Sequence, residues 1–345
     1  MHICFELSGE NDTLPAAEVY ASLSAEEIQY RVIRQGQGVV IVNINKNNEG
    51  KLQSLAQRLS MTHRIYQMIT TSTPEKQAVL DAINRTDLSR FIKQGQTYCV
   101  RVRRLERCPL IKTPQVLEPE IGKIVHRYGS RANLQTPDVC FKLLLTSKIA
   151  IFGILLHCIN RSSFEERKPM NKPFFYPGVL MPRISRTLIN LCEIKKNELL
   201  LDPFCGTAGI LVEAGLLDVN VIGSDVQWKI VSGAKMNLEY YLEKYTLMYQ
   251  DAAHLALKDE SVDAVITDPP YGRSTRIKSV ETKKLIEDAV KEMCRVLKKG
   301  RKAGIVYREK IDSLITGAGF SIVEYHRERV HKSLTRHLYI IKKSE

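Results

Sequence analysis

Four short segments of the chain combine acidic residues with glycine or proline in patterns that could bind and orient a polar ligand. The first covers residues 199–209, LLLDPFCGTAG, in which an apolar run ends at Asp202 and glycines precede a helical pattern. Glycine lets the backbone approach a ligand closely, and free N–H groups at the start of a helix can bind its polar atoms. The segment lacks the first glycines of a dinucleotide fingerprint and the Gly-Lys ending of a P-loop. It predicts a nucleoside-binding loop of another type, with a purely structural turn as the alternative.

Two further acidic residues follow the next two predicted strands. Asp225 closes the run VIGSD, 23 residues after Asp202. In Rossmann-like sheets an acid about 20 residues after the first loop binds the ribose hydroxyls, although Asp225 alone could also cap a helix. Asp251 and Ala252 follow the third strand, where an adenine would lie across the same edge of the sheet.

The fourth segment is TDPPYG at residues 267–272, after the fourth predicted strand. Proline fixes φ and has no N–H, so two consecutive prolines make a rigid turn that aims the Asp268 carboxylate and the Pro269 carbonyl at the cleft. Two acceptors held in this way suit a planar exocyclic NH2 group, which has two N–H donors. Pro270 completes the turn, and the ring of Tyr271 could stack on a base that is flipped out of its helix. The segment predicts a site for a nucleobase amine, with a plain turn as the alternative.

The elements that must position these residues alternate between strand and helix in the second half of the chain. Fully apolar strands alternating with amphipathic helices indicate a parallel sheet covered on both faces. The predicted strands are 199–201, 219–224, 246–250, 264–267 and 303–307, and the predicted helices are 208–217, 227–242, 281–297 and 310–318. Residues 1–160 instead show a small α+β pattern, and the polar stretch 160–173, with two prolines, predicts a linker.

The charge of the chain is high and unevenly distributed. Its 345 residues include 51 Lys and Arg against 38 Asp and Glu, a net charge of +13. With 44% hydrophobic and 26% charged residues, the composition excludes a disordered or collagen-like chain. Residues 61–160 alone hold 15 basic and 7 acidic side chains, which favours a polyanionic partner. A solvated surface is the alternative for any single Lys or Arg.

Cysteine and histidine spacing indicates neither a metal site nor a disulfide scaffold. None of the eight cysteines forms a Cys-x-x-Cys pair, and the eight histidines show no metal-ligand spacing. A reducing cytoplasm is therefore the expected location. The most apolar window, 143–159, is interrupted by Lys148 and His157 and falls short of the about 20 apolar residues that a membrane span needs.

These motifs resemble those of the class I S-adenosylmethionine-dependent methyltransferases that modify exocyclic amines, whose signature is Asp/Asn-Pro-Pro-Tyr/Phe. Within that class, the chain is similar to the archaeal tRNA guanine-N2 methyltransferases that act at position 10. The matching segments are YPG (176–178), DPFCGT (202–207), DPPYGRST (268–275) and HKSLTR (331–336). The match over 1–160 depends on order, size and charge alone. Ala208 departs from the family pattern, which more often has Gly there.

The resemblance implies an α/β fold class with a class I (Rossmann-like) methyltransferase domain and a mixed seven-stranded sheet at 176–345. An α+β ferredoxin-like domain at 1–60, a THUMP RNA-binding domain at 61–159 and a linker at 160–175 would precede it. The implied reaction moves one or two methyl groups from S-adenosylmethionine to the N2 amine of a tRNA guanosine, residue 10. Members of the wider family pair with a small methyltransferase-activator protein, which makes such a subunit a candidate partner.

Residue roles implied by the resemblance fall into three groups. The cofactor would be bound by Pro177, Asp202, Phe204, Cys205, Gly206, Thr207 and Gly209 at its methionine end, by Asp225 at the ribose, and by Asp251 and Ala252 at the adenine. The guanine amine would be held by Asp268, Pro269, Pro270 and Tyr271. The RNA-binding candidates are Arg101, Arg103, Arg104, Lys123, Arg127, Arg273, Arg276, Lys332 and Arg336.

Three other functions fit parts of the same pattern. A related family methylates guanosine 6 of tRNA and also carries a THUMP domain and Asp-Pro-Pro-Tyr. A DNA adenine-N6 methyltransferase can have an identical catalytic turn, although the basic first half of this chain favours RNA. A tRNA-binding protein with an inactive cofactor fold is the non-enzymatic alternative, and the intact Asp268 and cofactor loop argue against it.

Overall fold

The computed structural model describes residues 1–105, 113–270 and 279–344, without the side chains of residues 114 and 279–281. These residues form two compact units. Unit 1 comprises residues 1–10, 28–56 and 62–159, and unit 2 comprises residues 11–27, 57–61 and 160–345, within the described ranges. The helices in this part of the chain include none that is long and apolar enough to cross a membrane.

The strands and helices of the described residues are as follows. The strands are β1 (His2–Leu7), β2 (Tyr30–Gly36), β3 (Val39–Ile44), β4 (Thr62–Ser72), β5 (Thr97–Arg104), β6 (Arg131–Ala132), β7 (Val139–Leu145), β8 (Ala150–Cys158), β9 (Leu199–Asp202), β10 (Asn220–Asp225), β11 (Thr246–Tyr249), β12 (Ala264–Thr267), β13 (Lys302–Tyr307), β14 (Phe320–His331) and β15 (Leu334–Lys343). The α-helices are α1 (Leu14–Ala25), α2 (Leu52–Arg58), α3 (Lys76–Asn84), α4 (Leu117–His126), α5 (Ser162–Glu166), α6 (Pro182–Leu191), α7 (Gly209–Gly215), α8 (Trp228–Tyr241), α9 (Ser279–Val296) and α10 (Asp312–Gly317). Short 3-10 helices cover Lys46–Lys51, Leu88–Arg90, Pro114–Val116 and Pro169–Asn171.

Unit 1 is built on an eight-stranded sheet in the order β2-β3-β1-β4-β8-β7-β5-β6. Strands from both predicted N-terminal segments, 1–60 and 61–159, share this sheet. β1 to β4, β7 and β8 pair antiparallel, whereas β5 pairs parallel with β6 and β7. Helices α3 and α4 pack on the β5–β7–β8 part through a core that includes Ile121 and Phe141.

Unit 2 contains a seven-stranded sheet in the order β11-β10-β9-β12-β13-β15-β14. The first five strands are parallel, and β15 runs antiparallel to both β13 and β14. The predicted mixed seven-stranded sheet is therefore confirmed. Strand order reverses between β9 and β12, and ligands of open α/β sheets bind outside the carboxyl ends of the strands at such a point.

Both faces of the unit 2 sheet are covered, as the fully apolar strands predict. Successive side chains of a strand point to opposite faces. Leu200 and Ile266 accordingly pack in the core beneath α6, α7 and α8, whereas Leu201 and Val265 pack in the core beneath α9 and α10. This double burial fixes the register of the strands and with it the position of the acidic residues at their carboxyl ends.

The N-terminal helix α1 belongs to unit 2, where it packs against α6. Its Glu18 is fully buried and accepts hydrogen bonds from Ser60 N (3.0 Å), Met61 N (2.8 Å) and Asn190 Nδ2 (3.0 Å). Burial raises the pKa of this carboxyl, and the hydrogen bonds oppose that rise. The carboxylate thus joins three parts of the chain that are distant in sequence.

The segment predicted as a linker, 160–175, contains α5 and a 3-10 helix. Arg167 Nε lies 2.6 Å from Glu213 Oε1, and Arg186 Nη2 lies 2.9 Å from Glu213 Oε2. Because Glu213 is buried on α7, the two guanidinium groups compensate its charge. Through Arg167, this ion-pair cluster anchors the segment to α7.

Candidate active site

A cavity of about 450 Å³ opens at the carboxyl edge of the unit 2 sheet, where β9 and β12 meet. We call it the main cleft. It brings together most of the cofactor and catalytic candidates. Those that line it are Pro177, Asp202, Phe204, Cys205, Gly206, Gly209, Asp225, Asp251, Ala252, Asp268 and Pro270.

The remaining predicted residues of the site lie elsewhere or outside the described part. Thr207 is buried beside the cleft, and its carbonyl accepts a 3.0 Å hydrogen bond from Asn237 Nδ2. Pro269 is also buried and is not among the lining residues of the cleft. Tyr271, Arg273 and Arg276 lie outside the described residues.

Asp202, the last residue of β9, is held by two donors. Thr267 Oγ1 donates a 2.7 Å hydrogen bond to Asp202 Oδ1, and Phe204 N donates a 3.2 Å bond to the same oxygen. The carboxyl is 1% exposed, and this burial raises its pKa to about 7, with smaller contributions from Asp268 and Asp225. A cationic group bound in the cleft would therefore favour ionised Asp202 and lower its pKa.

The loop between β9 and α7 depends on backbone conformations that glycine adopts easily. Gly206 has φ of 50° and Ala208, at the start of α7, has φ of 62°. Cys205 N donates a 2.9 Å hydrogen bond to Ser224 O, so the loop closes against β10. A Cβ on Gly223 would lie 2.3 Å from Leu211 Cδ1 and 3.1 Å from Cys205 Cβ, which shows how closely the loop approaches the strand.

A second segment, which includes Pro177, is fixed to the loop through α8. Asn237 Nδ2 donates to Phe174 O (2.9 Å) as well as to Thr207 O, and Asn237 Oδ1 accepts from Phe174 N (2.9 Å). The Phe174 ring packs on Gly233, where a Cβ would lie 2.1 Å from the ring. The two walls of the cleft around the predicted methionine end are therefore held by one buried amide.

Asp225 ends β10 and lines the cleft while it also shapes the next turn. Its Oδ1 accepts a 2.9 Å hydrogen bond from Gln227 N at the start of α8. Burial raises the pKa of this carboxyl, and backbone donors from Gln227, Gly206 and Val226 oppose that rise. The two sequence interpretations, a ribose ligand and a helix cap, are compatible because a carboxylate can accept several hydrogen bonds.

Asp251 repeats this arrangement one strand further out. Its Oδ1 accepts a 2.9 Å hydrogen bond from Ala253 N, and the neighbouring Ala252 is buried against the cleft. Three strands of one parallel sheet thus each deliver an acidic residue to the same edge, as their spacing in the sequence predicts.

Asp268 follows β12, whose four residues are all buried. The strand is paired on both sides, with Val265 opposite Leu201 of β9 and Thr267 opposite Ile305 of β13. Asp268 is half-buried and lines the main cleft together with Asp202. A rigid central strand therefore presents its carboxylate beside the proposed cofactor loop.

Sequence reasoning missed several apolar residues of the cleft. They are Val179, Leu180, Ile210, Val226, Ile230 and Leu285. Ile210, Ile230 and Leu285 occupy helix positions whose apolar spacing is the same as that of core residues. Val226 directly follows Asp225, and this proximity is a signal that could have identified it.

The RNA-binding candidates of unit 1 differ in how freely they are presented. Arg103 Nε lies 2.7 Å from the buried Glu6, and Arg101 donates to Leu134 O (3.1 Å). Lys123 and Arg127 are exposed one turn apart on and just after α4, although Arg127 also donates to Asn84 Oδ1 (2.9 Å). Arg104 has contacts within the protein as well. Lys123 and Arg127 are the best placed of these candidates to meet a polyanion.

In unit 2 the two C-terminal candidates are presented in opposite ways. Lys332 is exposed in the turn between β14 and β15. Arg336 is only 5% exposed, and its Nη1 lies 3.5 Å from Glu328 Oε2. Arg336 is therefore mostly covered within the hairpin, and its contact with RNA stays a prediction.

Comparison with known proteins identifies the family. Residues 169–337 match the family described as UPF0020: RMKL-like, methyltransferase domain. Over 99% of its length, the chain is 33% identical to the tRNA (guanine(10)-N2)-dimethyltransferase of Methanothermobacter thermautotrophicus, and the match covers 100% of that protein. This chain belongs to the tRNA (guanine(10)-N2)-dimethyltransferase family. The family member from Pyrococcus abyssi is 33% identical over 97% of this chain and 98% of its own length.

More distant proteins resemble members of the tRNA (guanine(10)-N2)-dimethyltransferase family in fold or in part of their sequence. TrmN from Thermus thermophilus superposes with a TM-score of 0.54 at 18% identity and covers 99% of this chain and 100% of its own. The U6 snRNA (guanine-N(2))-methyltransferase of Mus musculus is 28% identical over 73% of this chain and 44% of its own length. The superposition with TrmN and the methyltransferase-domain match of residues 169–337 confirm the predicted Rossmann-like methyltransferase fold.

Proposed function

We propose that this member of the tRNA (guanine(10)-N2)-dimethyltransferase family transfers methyl groups from S-adenosylmethionine to the exocyclic N2 amine of guanosine 10 in tRNA. The observation that carries the proposal is the convergence of Asp268 with Asp202 and Asp225 on one cleft. The end-to-end similarity to named tRNA (guanine(10)-N2)-dimethyltransferases supports position 10 over position 6 and RNA over DNA.

The residues of the cleft suit the proposed cofactor. S-adenosylmethionine, when bound, supplies a methyl group made electrophilic by the adjacent sulfonium. Asp202 would hold the cationic amine of the methionine portion, and Asp225 would accept hydrogen bonds from the ribose hydroxyls. Asp251 would contact the adenine, with Ile210 and Ile230 available as apolar walls. The Gly206 and Gly209 backbone would allow close approach of the cofactor.

The role proposed for Asp268 follows from the chemistry of the guanine amine. Its lone pair is delocalised into the ring, so the amine is a weak nucleophile. It must be oriented in line with the sulfonium, and positive charge develops on its nitrogen as the methyl group arrives. The Asp268 carboxylate and the Pro269 carbonyl would accept the two N–H bonds and stabilise that charge. As the N–C bond forms, the bond between the methyl group and sulfur breaks and its electron pair stays on sulfur. The methylated nitrogen then loses its proton to the Asp268 carboxylate or to water, so no strong base is needed beforehand.

We assign tRNA binding chiefly to unit 1 and retain the predicted ferredoxin-like and THUMP domains as its interpretation. The basic excess of residues 61–160 supports this assignment, as do the exposed Lys123 and Arg127. Phosphate contacts of this kind position an RNA without reading its sequence. Cytoplasmic location, expected from the cysteine pattern, belongs to the same proposal.

A small activator subunit would have a suitable surface on unit 2. Strand β11 is the outer strand of the described sheet and pairs there with β10. Tyr249 at the end of β11 is 58% exposed and Trp228 at the start of α8 is 69% exposed, and the two rings meet edge-on with centroids 6.0 Å apart. Contiguous exposed apolar side chains are typical of interaction sites. Trp228→Ala and Tyr249→Ala should weaken copurification of such a subunit.

The proposed activity is tested by incubating the protein with labelled S-adenosylmethionine and unmodified tRNA transcript. Nucleoside analysis should identify N2-methylguanosine, N2,N2-dimethylguanosine or both, mapped to residue 10. A matched transcript with inosine at position 10 lacks the 2-amine and should accept no label there. Label at guanosine 6, at an adenine, or equally in the inosine transcript would contradict the proposal.

A further inference from the structure

A second cavity of about 450 Å³ lies in unit 2, next to the main cleft, and none of the roles above uses it. Its lining includes Tyr307 at the end of β13, Arg308 and Lys310 after that strand, and Lys283 of α9. We call it the basic pocket.

The basic pocket lies on the same edge of the sheet as Asp268. β13 runs parallel to β12, with Thr267 opposite Ile305, so Asp268 and Arg308 both leave the sheet at its carboxyl edge. Neighbouring strands are about 4.8 Å apart. Helix α9 contributes to both cavities, because Leu285 lines the main cleft and Ile286 lines the basic pocket. The basic pocket is therefore one strand spacing away from the proposed amine site, and helix α9 forms part of the wall of both cavities.

The charge of the basic pocket suits an anion. Three cationic residues line it, Lys283, Arg308 and Lys310, against the single acid Glu309. Arg308 Nε lies 3.0 Å from Glu309 Oε1, and the two side chains are 32% and 65% exposed, so this ion pair is open to solvent. A guanidinium has five N–H donors, which one carboxylate does not satisfy, and its fork geometry is well suited to bind phosphate oxygens as well.

An enzyme that acts on a base takes it out of the stack, and the strand on either side must then be held. We propose that the basic pocket binds a phosphodiester of the tRNA strand next to the target guanosine, with Arg308 and Lys310 as its main ligands. The inference rests on the proposed function, since it assumes a polynucleotide whose guanosine enters the main cleft. The basic pocket would position the RNA and would not contact the reacting atoms.

The test compares two double variants of the full chain. Arg308→Ala with Lys310→Ala removes charge from the basic pocket. Lys196→Ala with Lys299→Ala removes the same charge from exposed positions that precede β9 and β13, at the opposite edge of the sheet. Binding of unmodified tRNA is measured at several salt concentrations, cofactor affinity by calorimetry, and methylation under single-turnover conditions as a function of tRNA concentration.

The pocket variant should bind tRNA more weakly, by about fivefold to tenfold near 0.1 M salt for each phosphate that its side chains no longer bind. The slope of log affinity against log salt should fall by about 0.7–0.9 for each such phosphate. Half-saturation of methylation should shift in parallel, with cofactor affinity unchanged. The control variant should keep the native slope. The charge-preserving exchange of Arg308→Lys with Lys310→Arg should restore most of the affinity.

The outcomes separate this inference from the proposed function. If the native protein methylates guanosine 10 but the pocket and control variants share one affinity and one slope, the pocket does not bind tRNA. A native protein that does not methylate tRNA at all contradicts the proposed function instead. If the Arg308→Ala/Lys310→Ala variant also loses cofactor affinity, the single variant Lys310→Ala replaces it in the test, because Lys310 is exposed. An unchanged tRNA affinity and salt slope in Lys310→Ala would then overturn the inference.

A final arm uses inorganic phosphate as the probe. Phosphate should compete weakly with tRNA for the native protein and not for the pocket variant. If the native protein binds phosphate at Arg308 while the variants keep native tRNA affinity, the pocket is a free-anion site and its assignment to RNA is wrong.

Discussion

The Thr267 hydroxyl donates a 2.7 Å hydrogen bond to Asp202 Oδ1, and both side chains are buried. Thr267 ends β12, directly before Asp268, and Asp202 ends β9 at the proposed cofactor loop. This single bond joins the carboxyl ends of the two strands that flank the switch point of the sheet. The proposed amine site and cofactor site are thereby held at a fixed separation.

Removal of this hydrogen bond should destabilise the protein in a pH-dependent way. Thr267→Val deletes the donor at nearly constant volume and should cost about 1.5–3 kcal/mol of unfolding free energy while Asp202 is ionised, as expected for a bond to a charged group. Thr267→Ser keeps the donor and is the control. Since the pKa of Asp202 is about 7, the difference between Val and Ser should be large at pH 8 and smaller at pH 5.5. Denaturant unfolding at the two pH values measures it, and an equal difference at both would contradict the role of the bond.

Cofactor binding should be linked to ionisation of Asp202. The pKa of the free protein's carboxyl is about 7, and a bound cationic amine should lower it, so binding should release a proton. Affinity should therefore rise with pH between about 5.5 and 7, by at most tenfold per pH unit, and level off above 7. Calorimetry in buffers of different ionisation enthalpy measures the proton release. Asp202→Asn should bind more weakly and lose this pH dependence, whereas a native affinity that is constant over the range would argue against contact with the amine.

Ala208 should tolerate glycine better than an ordinary helical alanine does. Its φ of 62° is left-handed, which costs an L-residue about 1–2 kcal/mol, and glycine removes that cost. The unfolded chain gains freedom in return, so Ala208→Gly should leave the unfolding free energy within about 1 kcal/mol of native. Ala214, equally buried but inside α7, is the matched control and should lose about 1 kcal/mol or more on substitution by glycine. Equal losses at both positions would show that no strain is relieved at Ala208.

Lys123 and Arg127 should contribute to tRNA affinity without affecting the cofactor. Their combined replacement by Glu should weaken tRNA binding by tenfold or more at about 0.1 M salt and reduce its salt dependence, because each phosphate contact contributes about 0.7–0.9 to the slope. Arg31→Glu with Lys46→Glu, at two exposed positions of the same unit, controls for the equal change of net charge. Arg103 is a poorer choice for this test because its pairing with Glu6 makes its loss a structural change. Native-like tRNA binding by the double variant would remove α4 from the proposed RNA surface.

Much of unit 2 could be predicted because its strands are apolar throughout and end in acidic residues. The strand 264–267 has its predicted bounds, and the strand predicted at 199–201 extends by one residue because Asp202 still pairs with Gly223. Acidic residues at successive strand ends also predicted the polar side of the main cleft, because the carboxyl ends of parallel strands lie at one edge of the sheet.

Other features have no local signal. Glu18 accepts a hydrogen bond from Asn190, which is 172 residues away in the sequence. Because the partner is so distant, no periodicity within α1 indicates that the helix packs in unit 2. Alternation along β15 does not reveal which face of the strand is covered, so the sequence does not indicate that Arg336 is buried. Apolar cleft residues such as Ile230 are likewise indistinguishable from core residues in the sequence.

The most direct test of the proposed mechanism is the single-turnover methylation rate of Asp268→Ala on unmodified tRNA, measured with saturating S-adenosylmethionine and with product nucleosides identified. The rate should fall about a hundredfold or more, as for loss of one preorganised polar group, while cofactor and tRNA affinities change little. Asp268→Asn should retain more activity than Ala, since its oxygen still accepts one N–H bond but carries no charge. An Ala variant within a few-fold of the native rate would contradict the account, because Asp268 would then not hold the amine that receives the methyl group.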